Sequence, residues 1–194
     1  MRTERRLNRL EQVLRHRQPD LTVVMENIND PHNVSAVLRS CDAAGVMEVQ
    51  LIYPDQEFPD IGKKSSASAK KWVDLRHFKN VKDCYKKLHG EGFTIFATHL
   101  EKKATSLYEV DLTNKIAIVV GNEHEGVSLE AAQSADGILQ IPMYGMIQSL
   151  NVSVATAVIL FESVRQRIAT GQYKESKYTS AEIAKLLKAW AMKQ

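Results

Sequence analysis

Three short stretches of this chain place polar side chains beside backbone that is free to bind. The first is Ile141 to Phe161, IPMYGMIQSLNVSVATAVILF. An apolar strand end (Ile138, Leu139, Ile141) meets Pro142, a loop holding Gly145, then Ser149-Leu150-Asn151 and a long apolar helix. Proline and glycine shape a loop whose N–H and C=O groups need not all enter a ladder, so they can face a ligand. Ser149 or Asn151 stands where a helix N-cap is wanted, which brings polar groups and a positive dipole end to the same place. An ordinary capped strand–helix junction of an α/β core accounts for these residues equally well.

The second stretch is Ile116 to Ser128, IAIVVGNEHEGVS. Five apolar residues end at Gly121, Gly126 follows, and Asn122, Glu123, His124 and Glu125 lie between. A buried strand ending in glycine admits close approach of a ligand to the backbone, and open α/β sheets bind ligands beyond the carboxyl ends of their strands. The spacing is not GxGxxG, which argues against a Rossmann dinucleotide site. The third stretch is His32 to Gly45, HNVSAVLRSCDAAG, with Val34, Val37, Leu38 and Cys41 at helical spacing. Asn33 and Arg39 are six residues apart, about 600° of helical rotation, so they occupy different helix faces if both are helical. Asn33 belongs to the N-terminal end, and Arg39 projects from within the helix.

The elements that must position these groups alternate along the chain. Strands are expected at Leu21–Met25, Val49–Tyr53, Phe93–Ala97, Ile116–Val120 and Ile138–Ile141, with a sixth near Val73–Phe78. Helices are expected at Asn33–Ala44, Val81–Gly90, Ser128–Ala135, Leu150–Thr170 and Ser180–Trp190. An N-terminal helix carries an apolar stripe of Leu7, Leu10, Val13 and Leu14 and stops at Gln18-Pro19-Asp20. The alternation predicts an α/β fold: a mostly parallel sheet with helices on both faces. Three segments follow: a basic helix over 1–19, a main domain over 20–170, and a linker with a C-terminal helix over 171–194.

Composition is that of one globular domain, with 194 residues, 44% hydrophobic and 25% charged. Two cysteines without CxxC spacing make neither a disulfide framework nor a zinc site, and no metal is expected. No apolar run approaches a membrane span, and the N-terminus lacks a signal-peptide core, so a soluble cytoplasmic protein is the plain expectation. Net charge is only +3, but residues 1–17 carry six arginines against two glutamates, and residues 174–194 carry five lysines against two glutamates. Basic ends on a mildly acidic body suit capture of a polyanion, although basic terminal helices also serve solubility. Lys63-Lys64-Ser65-Ser66-Ala67-Ser68-Ala69-Lys70-Lys71 reads either as a phosphate-holding loop or as a flexible surface loop.

In this order the three stretches resemble the motifs of the SpoU (SPOUT) class of RNA 2′-O-ribose methyltransferases. Asn33 and Arg39 match the first motif, Gly121, Glu123 and Gly126 the second, and Pro142 through Asn151 the third. Phrases such as RQPDLTVVMENINDPHNVSAVLRSCDAAGV and IPMYGMIQSLNVSVATAVILFESVRQR resemble the tRNA guanosine-18 branch of the class as far as about Tyr173. The resemblance implies a trefoil knot in the C-terminal part of the main domain, which periodicity could not have suggested. It implies an S-adenosylmethionine pocket touched by Thr98, Leu100, Gly121, Gly126, Ile141, Met143, Ser149 and Leu150. It makes Arg39 central to catalysis, with Glu123 and Asn151 as orienting groups and Asn33 holding the first motif and a subunit contact. It also implies a homodimer in which motif one of one subunit approaches the cofactor site of the other. Arg6, Arg9, His32, Lys63, Lys64, Arg165 and Arg167 are the candidates for RNA contact. The apolar helix after Asn151 suits either an interface or a fully buried core position.

The function implied is S-adenosylmethionine-dependent 2′-O-methylation of guanosine-18 in the D-loop of tRNA. Two alternatives stand beside it: a methyltransferase of the same class acting on ribosomal RNA or another tRNA position, and a non-catalytic RNA-binding α/β protein. The short segment before the first strand favours tRNA over ribosomal RNA, and the presence of both Arg39 and the Ser149–Asn151 loop argues against a non-catalytic protein.

Overall fold

Two strands have every residue buried: LTVVME at Leu21–Glu26 (β1), apolar but for Thr22 and Glu26, and IAIVV at Ile116–Val120 (β6), apolar throughout. Continuous apolar runs of this kind mark central strands covered on both faces. In the computed structural model, which describes residues 3–54, 57–59, 69–99 and 103–193, these two strands are neighbours at the middle of a sheet. The other strands are β2 (Glu48–Ile52), β3 (Asp74–Phe78), β4 (Thr94–Thr98), β5 (Thr105–Ser106) and β7 (Gly137–Gln140). The order is β3-β2-β1-β6-β4-β7-β5, and every pairing is parallel. Strand β7 enters between β4 and β5, both of which precede it in the chain.

Alternation across the central strands sends side chains into two separate cores. Val23, Met25, Val49 and Ile118 pack with helices α2 (Pro31–Ala43) and α6 (Val152–Ala169) on one face. Val24, Ile52, Ala117 and Val119 pack with α4 (Val81–Gly90) and α5 (Leu129–Ser134) on the other. The periodic residues Val34, Val37, Leu38 and Cys41 of α2 are all fully buried. Asp30 caps α2 by accepting from His32 N–H, and Pro31 takes the first turn, where a missing N–H costs nothing. The helix therefore begins two residues before Asn33.

The terminal segments meet each other. Helix α1 (Glu4–Arg15) buries Leu10 and Leu14 against Ile183, Trp190 and Ala191 of α7 (Ser180–Met192). Trp72, at the end of the short helix α3 (Ala69–Trp72), lies 5.0 Å from Trp190 between ring centroids. Both tryptophans are packing residues. Arg17 is also interior: it is fully buried, donates to Val46 O at 2.7 Å, pairs with Asp42, and lies 5.0 Å from the Trp190 ring. Among the described residues no helix is long and apolar enough to cross a membrane, and no cluster has the makings of a metal site.

Candidate functional site

The carboxyl ends of β4, β6 and β7 open into a cavity of about 600 Å³. Its walls come from the segments that follow those strands and from the start of α6, including Gly121, Ile141, Leu150 and Ile159. Local chemistry fixes each wall. After β6 the chain folds back on itself, with Asn122 and Gly126 exchanging two backbone hydrogen bonds of 3.0 and 2.9 Å. A Cβ at Gly121 would lie 2.1 Å from Gly126 O, so only glycine permits this return. Gly126 itself has φ +72°, a conformation that glycine adopts without strain. At the other wall, Asn151 accepts from Ser153 N–H at 2.9 Å and caps α6, which decides between Ser149 and Asn151 as the cap and starts the helix at Val152.

One polar chain joins all three motifs. Asn33 Nδ2 donates to Glu123 Oε1 at 2.9 Å, and Asn151 Nδ2 donates to Asn33 Oδ1 at 3.0 Å. Glu123 also accepts from the backbone N–H of Asn29 at 3.3 Å and of Asp30 at 3.4 Å. Burial by itself would raise the Glu123 pKa. The donated bonds from Asn33 and from backbone N–H groups outweigh it and hold the carboxyl below its ordinary range. Glu123 is thus an ionised clamp at neutral pH, and a carboxylate held in this way is a weak base.

Of the residues expected to touch a cofactor, Thr98, Gly121, Gly126, Ile141, Met143, Ser149 and Leu150 all line the cavity, while Leu100 lies outside the described residues. Sequence reading missed Val152, Ala155 and Ile159 as lining residues, although their spacing along α6 was a usable signal. Arg39 is not part of the cavity wall. It is exposed on α2 and, among the described residues, carries no hydrogen bond or ion pair. Asn33, expected at a subunit contact, commits both ends of its amide within its own chain and is 8% exposed.

The RNA-contact candidates divide. Arg6, Arg9 and His32 are exposed; Arg6 donates to Lys193 O at 2.8 Å and Arg9 to Gln12 at 3.1 Å. Arg165 is exposed and paired with Glu162 through two 2.8 Å bonds. Lys63 and Lys64 lie outside the described residues. Arg167 must be corrected: it is fully buried and donates to Leu112 O, Asp20, Gln18 and Asn114 O. It has no face to offer a nucleic acid. Helix α6 is not a fully buried core helix within the chain: Val154, Phe161 and Ile168 form a stripe 47%, 51% and 59% exposed.

Known proteins share this arrangement over nearly the whole chain. A tRNA (guanosine(18)-2′-O)-methyltransferase of Thermus thermophilus is 47% identical over 99% of this chain and 98% of its own. The Escherichia coli K12 enzyme of the same description is 42% identical over 94% of this chain and 80% of its own. The crystal structure of the A. aeolicus TrmH/SpoU tRNA modifying enzyme superposes with a TM-score of 0.91 at 42% identity, covering 97% of this chain and 95% of that one. The model of the SpoU rRNA Methylase family matches residues 20–161, the stretch that holds all three motifs. With a family model over most of its length and relatives alike nearly end to end, the chain belongs to the SpoU methylase family.

Proposed function

We propose that this chain is an S-adenosylmethionine-dependent methyltransferase that modifies the ribose 2′-oxygen of guanosine-18 in tRNA. The observation that carries the reading is the Asn33–Glu123–Asn151 chain, which draws the three motifs together beside a cavity of cofactor size. Likeness over nearly the full length to tRNA enzymes supports tRNA over ribosomal RNA as substrate.

The cavity fits the cofactor. At about 600 Å³ it lies within the usual range for small-molecule sites, and it combines apolar walls (Val120, Ile141, Met143, Leu150, Ile159) with backbone of the 121–126 and 141–151 loops. The apolar walls would hold the adenine and the loop backbone its polar edge. When bound, S-adenosylmethionine supplies a methyl group on a sulfonium leaving group. The protein must then align the 2′-oxygen and manage its proton. Arg39 has the chemistry for the first task and for stabilising charge: an unpaired guanidinium grips a phosphate and favours the developing alkoxide. With a pKa above ~12 it is a poor general base unless RNA binding withdraws its proton. Glu123 holds the turn before α2, and Asn151 secures Asn33, so both act by orientation.

Arg39 is exposed and away from its own cavity wall, and α6 presents an apolar stripe to solvent. Both support a homodimer in which Arg39 of one subunit serves the cavity of the other. The insertion of β7 between β4 and β5 supports a threaded, trefoil-knotted path. Exposed Arg5, Arg6 and Arg9 on α1 and the exposed Arg165 supply positive charge for tRNA phosphates.

The test is to incubate the protein with labelled S-adenosylmethionine and either bulk tRNA or ribosomal RNA, then map the modified nucleotide. Label at ribose 18 of tRNA is expected. Label confined to ribosomal RNA would move the substrate, and no transfer to either RNA would remove the reading.

A further inference from the structure

Asn27 is the one non-glycine residue with positive φ, 51°, among the described residues. Few L-residues hold this conformation, and it persists where the surroundings over-determine it. Asn27 follows β1 directly, and Ile28 to Asp30 then form the turn from which α2 departs. Three side chains grip this turn by its backbone. Asn122 Nδ2 donates to Asn27 O at 2.9 Å, and the Tyr53 hydroxyl donates to Ile28 O at 2.8 Å. Glu123 accepts from the N–H groups of Asn29 and Asp30.

Asn122 does two jobs with one amide. Its Oδ1 accepts from the N–H of His124 at 2.8 Å and of Glu125 at 3.3 Å, which closes the 122–126 loop on itself. Its Nδ2 is thereby aimed at Asn27. The same loop lines the cavity described above. Helix α2 packs along α6 and is one unbroken helix from Pro31 to Ala43, so a tilt at its start displaces its later positions. Arg39 lies nine residues beyond Asp30, about 13 Å along the axis, so a tilt of about 5° at the turn moves it by about 1 Å. A displacement of that size can cost about a hundredfold in rate.

We propose that Asn122 is a positioning residue: through its bond to Asn27 O, the loop lining the cofactor cavity sets the start of α2 and thereby the placement of Arg39. The proposal rests on the methyltransferase reading above. It implies that an occupied cavity and the RNA-facing helix are linked. Because linkage is reciprocal, filling the cavity tightens tRNA binding by the same factor by which tRNA tightens binding in the cavity.

Asn122→Ser tests it. Serine keeps an oxygen that accepts bonds in a turn but lacks the amide that reaches Asn27. Expected are a kcat at least tenfold lower, a Kd for S-adenosylmethionine within about threefold of normal by calorimetry, and a smaller change in KM for tRNA. The gain in tRNA affinity on adding S-adenosylhomocysteine to the wild type should also shrink in the variant. An unchanged kcat, or a loss that follows cofactor affinity or the melting temperature, overturns the proposal. If Asn122→Ser fails to fold, Tyr53→Phe loosens the same turn without touching the cofactor loop. It should give the same split between kcat and cofactor Kd, and a normal kcat there overturns the proposal too. The wild-type assay separates the two ideas, because a wild type that labels no tRNA ribose removes the methyltransferase reading itself.

Discussion

Arg39 and Arg167 are both arginines on long helices, and their surroundings give them opposite work. Arg167 is fully buried, and Asp20, Gln18 and the carbonyls of Leu112 and Asn114 take up its donors. Those partners come from segments far apart in the chain, so nothing in the local run FESVRQRIA of α6 separated Arg167 from Arg165, and both read as surface charge. Arg39 stands exposed without a partner among the described residues, a guanidinium free to take an anion. Arg39→Ala should therefore abolish methyl transfer while calorimetry gives a cofactor Kd within a few-fold of normal. Full turnover would end its catalytic role, and a large loss of cofactor affinity would move it into the cavity. Glu123 carries the pH dependence that the site predicts. Its folded pKa lies below the unfolded value, so its contribution to stability is present above the unfolded carboxylate range and is lost as pH falls through the folded pKa. Glu123→Gln should lower stability at pH 7 by about 1 kcal/mol, less than the ~1.5–3 kcal/mol of a buried hydrogen bond to a charged group because the carboxylate is partly exposed. The melting temperatures of the two proteins should converge as pH falls below the ordinary carboxylate range and through the lowered folded pKa, where the wild-type carboxylate also protonates. A gap that persists unchanged into acid would mean that the charge of Glu123 is not what holds the turn.

Helices α1 and α7 show how an element can be legible alone and not in company. The stripe Leu7, Leu10, Val13, Leu14 announced an amphipathic helix, but nothing local said that its cover is Ile183 and Trp190 from the other end of the chain. Because of that cover, deleting residues 1–17 would strip a core as well as a charge. Neutralising Arg5, Arg6 and Arg9 together is the cleaner test, since all three are exposed. The slope of log tRNA affinity against log salt should flatten by up to about three counterions' worth, while the melting temperature stays close to normal. An unchanged slope would assign these arginines to solubility. The same contrast runs through the sheet. Strand β6 and helix α4 fall on their expected bounds because a continuous apolar run and a 3.6-residue period are strong local signals. Strand β5, two residues long, and helix α3, four residues long, have no period to read, and the position of β7 between β4 and β5 is a property of the assembled sheet. At the site, glycines, caps and apolar strand ends located the cavity, whereas the bonds joining Asn33, Glu123 and Asn151 span 90 and 118 residues and emerge only on folding.

At the scale of the whole molecule, one chain holds a cavity and a free Arg39 that do not meet as parts of the same wall, and it leaves Val154, Phe161 and Ile168 of α6 exposed at intervals of seven residues. Seven residues is close to two helical turns, so the three side chains form one stripe on one face. A stripe of that kind suits self-association, and an isologous two-fold contact would apply it twice. The shared-site reading makes a quantitative prediction for mixed dimers. Combine an Arg39→Ala chain, whose cavity is intact, with a Leu150→Glu chain, which keeps Arg39 but places a charge in the apolar cavity wall. Each parent dimer is expected to be inactive. If Arg39 serves the partner's cavity, a mixed dimer contains one site with both defects and one with neither. Verified mixed dimers should then regain up to about half the activity of the wild type per dimer, and the recovery should follow the fraction of mixed species as the input ratio is varied. If Arg39 serves its own cavity, every site in the mixture carries one defect, no recovery appears at any ratio, and the shared-site reading fails.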